Sequence, residues 1–228
     1  MAKFFVVGTP IGNLEDITFR AILVLKNVDL ILCEDTRTTQ KLLSKYAINT
    51  KTASYHAHSK TTKKDFIFKL LAEGKNIALV SDAGTPCISD PGVLIISQIR
   101  EHFKSDEVQI IPIPGASALI SALSVSGIPS SEFTFFGFLP HKKGRETMFK
   151  EIANSTKTAV FYESPHRFLK TLDSLKKHLD PSRKIVIGRE LTKVFEQILS
   201  DTPVEIIKYF EINKDKMRGE FVVIVSPK

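Results

Sequence analysis

Short apolar runs alternate with longer segments of helical periodicity in the first half of the chain. The runs, rich in β-branched residues, lie at residues 4–7, 30–33, 77–80 and 108–113. The helices that apolar spacing predicts between them lie at residues 18–28, 63–72 and 91–103. Strands that alternate with helices are typical of a parallel α/β sheet.

The second half of the chain has a different pattern. A helix rich in Ser and Ala is predicted at residues 116–126, and a basic turn lies at residues 141–145. The strands predicted here lie at residues 133–139, 158–162, 184–188, 194–199 and 220–225. Helices are predicted up to about residue 153 and at residues 166–178 and 203–209. Several of these strands follow one another without a crossover helix, which indicates a mixed sheet.

This change of pattern predicts two domains with a boundary near Pro114 and Gly115. We expect an N-terminal α/β domain with a parallel-type sheet at residues 1–114 and a C-terminal α/β domain with a mixed sheet at residues 115–228. A cleft between two such domains is the expected ligand site.

Composition narrows the class of protein. The 228 residues are 43% hydrophobic and 25% charged, as in an ordinary globular protein, and their formal charge of +7 favours a polyanionic partner such as nucleic acid. Cys33 and Cys87 are expected to be buried thiols, and no metal-ligand spacing occurs. Neither a leader peptide nor a membrane span is predicted, so we expect a cytoplasmic protein.

Polar and glycine-rich segments follow three of the strands predicted in the first half. In a parallel α/β sheet, ligands bind at the carboxyl ends of the strands. These segments read GTPIGNLEDIT at residues 8–18, EDTRTT at residues 34–39 and SDAGTPCISDPG at residues 81–92. The first is neither a phosphate-binding loop nor a dinucleotide fingerprint, and a glycine turn with an acidic helix cap is an alternative for it.

The second segment concentrates charge at a strand end. Glu34, Asp35 and Arg37 either form an internal ion pair or face a cleft, because buried unpaired charge is unfavourable. A helix cap at Asp35 or Thr36 would explain the carboxylate and leave Arg37 unexplained.

The third segment contains two glycines and two prolines, which affect backbone flexibility in opposite ways. Gly84 and Gly92 permit positive φ and the close approach of a ligand, while Pro86 and Pro91 stiffen the backbone. A stiff loop with exposed N–H groups that ends at a helix suits a ligand with carboxylate or hydroxyl groups.

Two segments of the second half repeat the pairing of Glu with Arg after a strand. They read FYESPHR at residues 161–167 and GRELTK at residues 188–193. Structural salt bridges would account for any one such pair. Three of them in one small protein favour a functional cleft.

Taken together, these motifs resemble the ribosomal RNA small subunit methyltransferase I family of the tetrapyrrole methylase superfamily. The resemblance is carried by GTPIGNL with DIT, EDTR, LVSDAGTP, the Pro114–Gly115 pair, FYES with HR, and RELTK, and it runs in order from about residue 4 to residue 225. It implies two α/β domains of the tetrapyrrole methylase type, the class III SAM methyltransferase type, with the cofactor cleft between them.

The resemblance also implies a function. The expected enzyme uses S-adenosyl-L-methionine to methylate the ribose 2′-hydroxyl of a cytidine in the decoding region of 16S rRNA. The RNA is expected to be bound within the small ribosomal subunit, and the enzyme is expected to be a homodimer without a membrane partner.

The resemblance assigns cofactor contacts to residues in both halves of the chain. They are Pro10, Ile11, Asp82, Ala83, Gly84, Thr85, Pro86, Ile88, Ser117, Ala118, Phe161, Tyr162, Glu163, Leu191, Thr192, Gly219 and Glu220. A rigid loop would align the methyl group with the incoming oxygen.

A ribose hydroxyl is a poor nucleophile, so a carboxylate or histidine near it would accept or orient its proton. The candidate catalytic residues are Glu34, Asp35, Arg37, Glu163 and Glu190, and no spacing rule selects the base among them. Arg37 and Arg189 would hold phosphate or carboxylate. His56 and His58 either reach the site or belong to a surface loop.

Two departures from the family pattern bear on RNA binding. The chain ends directly after its last predicted strand, so the family's usual extra C-terminal helical domain is expected to be absent. Ser59 and Lys60 stand where the family has Asn-Glu. RNA contact is therefore expected at the basic residues Lys60, Lys63, Lys64, Lys142, Lys143 and Arg145.

Two alternatives remain open at this point. One is a methyltransferase of the same superfamily that acts on a tetrapyrrole or another small substrate, because a polycarboxylate would also suit the basic turns. The other is a catalytically silent ribosome-binding module.

Overall fold

The computed structural model describes residues 1–56, 61–89 and 92–228. The chain divides into two compact units, Met1–Ser117 and Ala118–Lys228, with the division close to the expected boundary at Pro114 and Gly115. The predicted helix start at Pro91, and His58 and Lys60, lie outside the described residues.

The first unit is built from five strands and four helices within its described part. In chain order these are β1 (Ala2–Val7), α1 (Phe19–Asn27), β2 (Leu30–Cys33), α2 (Thr36–Lys45), β3 (Thr52–Ser54), α3 (Thr61–Ala72), β4 (Ile77–Leu79), α4 (Gly92–His102) and β5 (Val108–Ile113). The strand order is β3-β2-β4-β1-β5, and every pair is parallel.

Helices cover both faces of this sheet. Leu25 of α1 and Leu43 of α2 are buried in a core on one face, and Ile67 of α3 and Ile95 of α4 are buried in a core on the other. The strands of a parallel sheet buried on both faces read as continuous apolar runs, which is why β2 is entirely buried.

The second unit begins with a helix and carries a mixed sheet. Its elements are α5 (Ala118–Ser126), β6 (Phe133–Phe138), α6 (Arg145–Asn154), β7 (Thr158–Glu163), α7 (Phe168–His178), β8 (Ile185–Arg189), β9 (Gln197–Asp201), α8 (Pro203–Ile212) and β10 (Phe221–Val225). The strand order is β6-β7-β10-β8-β9, in which β6 and β7 are parallel and the other pairs are antiparallel. Phe149, Phe168 and Phe210 bury α6, α7 and α8 in one core against the sheet.

Three elements differ from the sequence-based expectation. The last edge strand covers Gln197–Asp201 rather than residues 194–199, because Val194 and Phe195 are 93% and 70% exposed in the loop before it. The short edge strand Thr52–Ser54 was not predicted, since its three residues are half-buried and carry no apolar alternation. The sequence predicts a helix start at Asp35 or Thr36 without an extent, and the structure has Asp35 as the cap of α2, which continues to Lys45.

Among the helices in the described part of the chain, none is long and apolar enough to cross a membrane.

Candidate active site

The loops that follow β1, β2 and β4 are tied together at one edge of the first sheet. The backbone N–H of Thr9 donates to the Gly84 carbonyl at 2.9 Å, and the Gly84 N–H donates to the Thr9 carbonyl at 3.1 Å. The backbone N–H of Asp35 donates to the Asp82 carboxylate at 3.0 Å. These bonds join segments that are 47 to 75 residues apart in the chain around residues 81–89, which we name the Gly84 loop.

Gly84 lies in a narrow slot. Its φ is +82°, and a Cβ atom there would lie 3.4 Å from Ile11 Cγ2 and 3.7 Å from the Ala116 carbonyl oxygen. The Thr85 hydroxyl donates to the same Ala116 carbonyl at 3.2 Å. Among the residues predicted to contact the cofactor, Ile11, Gly84 and Thr85 therefore lie together around Ala116. The other predicted first-unit contacts belong to the same segments of the chain, namely Pro10, Asp82, Ala83, Pro86, Ile88 and Ser117.

The Gly84 loop also contains backbone strain that the sequence did not reveal. Cys87 and Ser89 have φ values of +73° and +66°, and the side chain between them, Ile88, is 48% exposed. A non-glycine residue in the left-handed region is unfavourable by on the order of 1–3 kcal/mol, and such residues cluster at functional sites. No sequence pattern marks either residue for a positive φ, because Cys and Ser are not among the residues that favour it.

The segment Glu34–Arg37 forms a corner at the same edge, half-buried except for Arg37. Asp35 caps α2 by accepting the Arg37 backbone N–H, and its carboxylate pairs with the Arg37 guanidinium at 2.7 Å. The side-chain hydrogen bonds from Arg37 and the backbone N–H lower the pKa of Asp35 to about 2. Arg37 is 88% exposed, so both the helix cap and the ion pair form while the guanidinium still faces solvent.

Glu163, at the end of β7, is enclosed by positive charge. Its carboxylate is fully buried and accepts from Arg167 at 2.7 Å, Arg145 at 3.3 Å and the Thr171 hydroxyl at 2.5 Å. The Ser164 backbone N–H donates a further bond at 2.8 Å. This geometry favours a structural role for the Glu163 side chain over the predicted contact with a substrate hydroxyl.

The remaining candidates of the second unit meet where β8 ends and β10 begins. The Glu190 carboxylate accepts from Lys193 at 2.9 Å and from the Glu220 backbone N–H at 3.0 Å. A Cβ on Gly219 would lie 2.4 Å from Glu190 Cδ, so only glycine permits this contact. Partial burial raises the pKa of Glu190, and the bonds from Lys193 and Glu220 outweigh it, so the pKa is lowered overall.

Two residues between β8 and β9 also have a strained backbone. Glu190 and Thr192 have φ values of +49° and +66°. Leu191 between them is buried and packs on Gly188. Arg189 is buried and donates to the carbonyls of Arg218 and Phe195, so its guanidinium is engaged inside the unit rather than facing a substrate.

Tyr162 lies on β7, next to Phe161 and Glu163. Its hydroxyl bonds to the backbone of Leu119, one residue after Ala118, while burial raises its pKa. Register places the end of β7 and the end of β8 on either side of β10, because Phe221 pairs with both Glu163 and Arg189. Phe161, Tyr162, Ala118, Leu191, Thr192, Gly219 and Glu220 thus belong to neighbouring segments of the second unit.

A hollow of about 280 Å³ elsewhere in the first unit contains none of these residues. It is lined by Lys3 and Asn76, which lie near the amino ends of β1 and β4, and by residues of α1 such as Leu23. The candidate chemistry lies at the opposite edge of the sheet.

Known proteins resemble the chain over nearly its whole length. A family model described as tetrapyrrole (corrin/porphyrin) methylases matches residues 3–206. A protein of Vibrio cholerae named ribosomal RNA small subunit methyltransferase I is 46% identical over 222 residues, which are 97% of this chain and 76% of the relative. The chain belongs to the ribosomal RNA small subunit methyltransferase I family of tetrapyrrole methylases. This confirms the family that the sequence motifs predicted.

Members of this family differ in length. A Thermotoga maritima relative of the same name is 44% identical over 229 residues, which are 100% of both chains. The family's segments at the strand ends all fall within the matched region of this relative.

Solved structures confirm the fold class. The chain is similar to a cobalt precorrin-4 methyltransferase with a TM-score of 0.71 at 15% identity, over 98% of this chain and 94% of that one. It is also similar to a uroporphyrin-III-C-methyltransferase from Thermus thermophilus, with a TM-score of 0.66 at 15% identity over 98% of this chain and 94% of that one. At such identities the likeness shows the tetrapyrrole methylase fold.

Proposed function

We propose that this protein methylates the ribose 2′-hydroxyl of a cytidine in the decoding region of 16S rRNA, with S-adenosyl-L-methionine as methyl donor. The observation that carries the proposal is the match at 46% identity over 97% of the chain to a protein named ribosomal RNA small subunit methyltransferase I. The loops that carry the family motifs are also the loops that the first sheet gathers at one edge.

The Gly84 loop offers backbone groups to the methyl donor. Gly84 packs closely against Ile11 and the Ala116 carbonyl, and its φ of +82° sets the course of the loop. Backbone groups in such a loop give a ligand directed hydrogen bonds without side-chain entropy loss. When bound, S-adenosyl-L-methionine supplies a methyl group on a positively charged sulfonium.

The same edge carries carboxylates suited to a cationic ligand. Asp82 is exposed, and Glu34 and Asp35 are half-buried beside it in the described structure. Opposite charge near a sulfonium is electrostatically favourable, and a rigid edge holds that charge in place before the reaction.

We assign different roles to Glu34 and Asp35. Because the pKa of Asp35 is lowered to about 2, its carboxylate is ionised at neutral pH and binds protons weakly. Asp35 therefore orients Arg37 and the start of α2. Glu34 is the residue that we propose accepts the proton from the 2′-hydroxyl oxygen as that oxygen gains the methyl group.

Glu163 and Glu190 have different roles in this proposal. Glu163 is saturated by two arginines and a threonine, and it holds the fold around β7. Glu190 packs against Gly219 and accepts the backbone N–H of Glu220, and both of these residues belong to the predicted cofactor contacts of the second unit.

The experiment is methylation of small ribosomal subunits with methyl-labelled donor, followed by digestion and identification of the labelled nucleoside. We expect label in 2′-O-methylcytidine. Glu34→Gln should lower the rate at saturating donor and RNA by roughly 10²-fold or more, as expected for loss of a general base. Glu73→Gln, an exposed change after α3, is the matched control and should leave the rate unchanged.

The outcomes separate the two parts of the proposal. Label absent from rRNA, or label on a base instead of a ribose, would refute the proposed reaction. Label in 2′-O-methylcytidine at an unchanged rate in Glu34→Gln would refute only the role of Glu34. Incorporation into a tetrapyrrole and not into rRNA would favour the small-substrate alternative.

We also propose that the RNA is bound within the small ribosomal subunit by a homodimer, as the family resemblance implies. Light scattering of the purified protein tests the dimer directly. A monomeric mass at working concentration would refute it.

A further inference from the structure

The outward face of α2 carries a row of three cations. Thr39, Leu42 and Leu43 bury the opposite face, while Arg37, Lys41 and Lys45 are exposed at intervals of four residues. Residues four apart lie on one side of a helix, with a rise of about 6 Å between them. We name Arg37, Lys41 and Lys45 the α2 ridge.

A row of like charges along one face does not stabilise α2. Like charges four residues apart destabilise a helix, and a cation in the first turn opposes the helix dipole. Asp35 offsets only Arg37, through their 2.7 Å ion pair. No acidic residue occurs in Thr36–Lys45, so the helix supplies no counter-charge of its own.

Some lysines elsewhere on the surface have an acidic partner. Lys177, Lys208 and Lys69 each lie within 4.0 Å of a glutamate. For Lys41 and Lys45, no carboxylate within that distance is found in the described part of the chain. Lys41 and Lys45 share one face of α2 with the exposed Arg37, and the helix has no carboxylate of its own, so this face suits an external anion.

We propose that the α2 ridge binds the sugar–phosphate backbone of the RNA strand that carries the target ribose. This inference rests on the proposed function. A rise of about 6 Å per step matches the spacing of successive phosphates along an extended strand. Exposed Gln40 and Ser44, hydrogen-bonded to each other at 3.2 Å, lie on the same side and offer further polar contacts.

The α2 ridge begins beside the proposed catalytic residue. α2 begins directly after Glu34 and Asp35, at the edge where the strand-end loops meet. A strand held along α2 therefore has one end at the carboxylates to which we assign the chemistry. Phosphate contacts fix register and orientation and carry no sequence information, so the ridge positions the substrate rather than selecting it.

The test compares Lys41→Gln/Lys45→Gln with Arg100→Gln/Lys104→Gln in binding to purified small ribosomal subunits across a salt series. The control pair removes the same charge at the same spacing from the end of α4, on the opposite face of the sheet. We expect the ridge variant to bind roughly tenfold more weakly at low salt, with the slope of log K against log salt reduced by about 2. The control should keep the wild-type affinity and slope.

A second variant excludes a merely structural role. Lys41→Glu turns two repulsive pairs along α2 into attractive ones, so it should raise the melting temperature slightly while weakening RNA binding further. Binding and stability that fall together would instead indicate damage to the helix and would overturn the proposal.

The remaining outcomes are also decisive. Wild-type affinity and slope in Lys41→Gln/Lys45→Gln, or an equal loss in the control, would overturn the ridge as the contact. If the wild-type protein methylates small subunits while the ridge variant binds normally, the proposed function stands and only this inference fails. If the wild-type protein methylates no rRNA at all, the proposed function fails first.

Discussion

Gly84 combines a left-handed backbone with close packing against Ile11 and the Ala116 carbonyl. We predict that Gly84→Ala weakens binding of S-adenosyl-L-methionine. Alanine at φ +82° is strained by about 1–2 kcal/mol, and a shift of the loop that relieves this strain would misplace its backbone groups. The measurement is thermal unfolding with and without donor at about 100 times its Kd, which stabilises the wild type by ~2.7 kcal/mol.

Gly74 supplies a control for that substitution in the same unit. Its φ is +80°, and nothing lies within 4 Å of the Cβ that alanine would add. Gly74→Ala should therefore lose similar intrinsic stability and keep the full donor-induced shift. A shift retained in Gly84→Ala would contradict the assignment of this loop to the cofactor.

The Asp35–Arg37 pair gives a prediction about acid stability. The pKa of Asp35 is about 2 in the folded protein, below the ordinary value of about 3.9. A lowered carboxyl pKa stabilises the fold above the unfolded value, and that stability is lost as the pH falls from about 4 towards about 2. Arg37→Ala removes the largest cause of the shift, so its stability should depend less on pH in this window.

Urea unfolding between pH 2 and pH 5 measures this difference, with Arg100→Ala as the control for loss of an exposed cation. Identical pH dependence in the wild type and Arg37→Ala would show that the ion pair is not maintained in solution. At neutral pH, the same substitution should lower methylation roughly tenfold, because Arg37 belongs to the corner that faces the substrate.

At the scale of elements, Glu163 joins β7, α7 and the turn before α6. Arg145 and Arg167, which both bind Glu163, also donate to the carbonyls of Pro140 and Leu139 at 3.1 and 2.8 Å. Removing the carboxylate leaves two largely buried guanidinium groups without their counter-charge. Glu163→Ala should therefore lower the free energy of unfolding by about 3–5 kcal/mol.

Two measurements distinguish this structural role from catalysis. Glu146→Ala removes an exposed glutamate that likewise has two side-chain partners, Lys177 and His178, and it should scarcely change stability. Methylation per folded molecule should be largely retained in Glu163→Ala below its melting temperature. A stable but inactive Glu163→Ala would instead support a catalytic role for Glu163.

Much of the secondary structure is predictable because buried strands leave continuous apolar runs, as β2 and β10 do. β9 is an exception. It is an edge strand that pairs with β8 alone in the described structure, so apolar and polar residues alternate only weakly along it. The exposed apolar pair Val194–Phe195 lies directly before it, and for this reason the strand was predicted to begin too early. Burial rather than propensity decides such edges.

The sequence predicted which segments form the candidate site, and it did not predict the hydrogen bonds that join them. The rule that ligands bind at the carboxyl ends of parallel strands selected the segments that the structure joins at one edge of the first sheet. The bonds from Thr9 to Gly84 and from Asp35 to Asp82 depend on β4 lying between β1 and β2, which no local pattern encodes. For the same reason, the sequence could not show that Glu163 is enclosed by Arg145 and Arg167.

At the scale of the whole molecule, the net charge of +7 favours a polyanionic partner such as RNA. Of the residues expected to contact RNA, Arg145 is committed to Glu163, Lys63 donates to Ser54 and Lys64 lies over the Phe68 ring. Lys142 and Lys143 remain fully exposed on the turn that Arg145 and Arg167 hold in place. RNA contact in the second unit should therefore depend on this rigid turn.

A rigid turn with few cations is suited to a surface that is already formed. Free 16S rRNA must be ordered on binding, at a cost in free energy, whereas an assembled small subunit presents folded RNA. We predict efficient methylation of small subunits and poor methylation of free 16S rRNA, with a salt slope lowered by about 2 in Lys142→Ala/Lys143→Ala. Labelled methyl incorporation into both substrates across a salt series measures this, with Arg100→Ala/Lys104→Ala as the charge-matched control. Equal rates on free rRNA, or a slope untouched by the substitutions at Lys142 and Lys143, would place RNA recognition on another surface of the molecule.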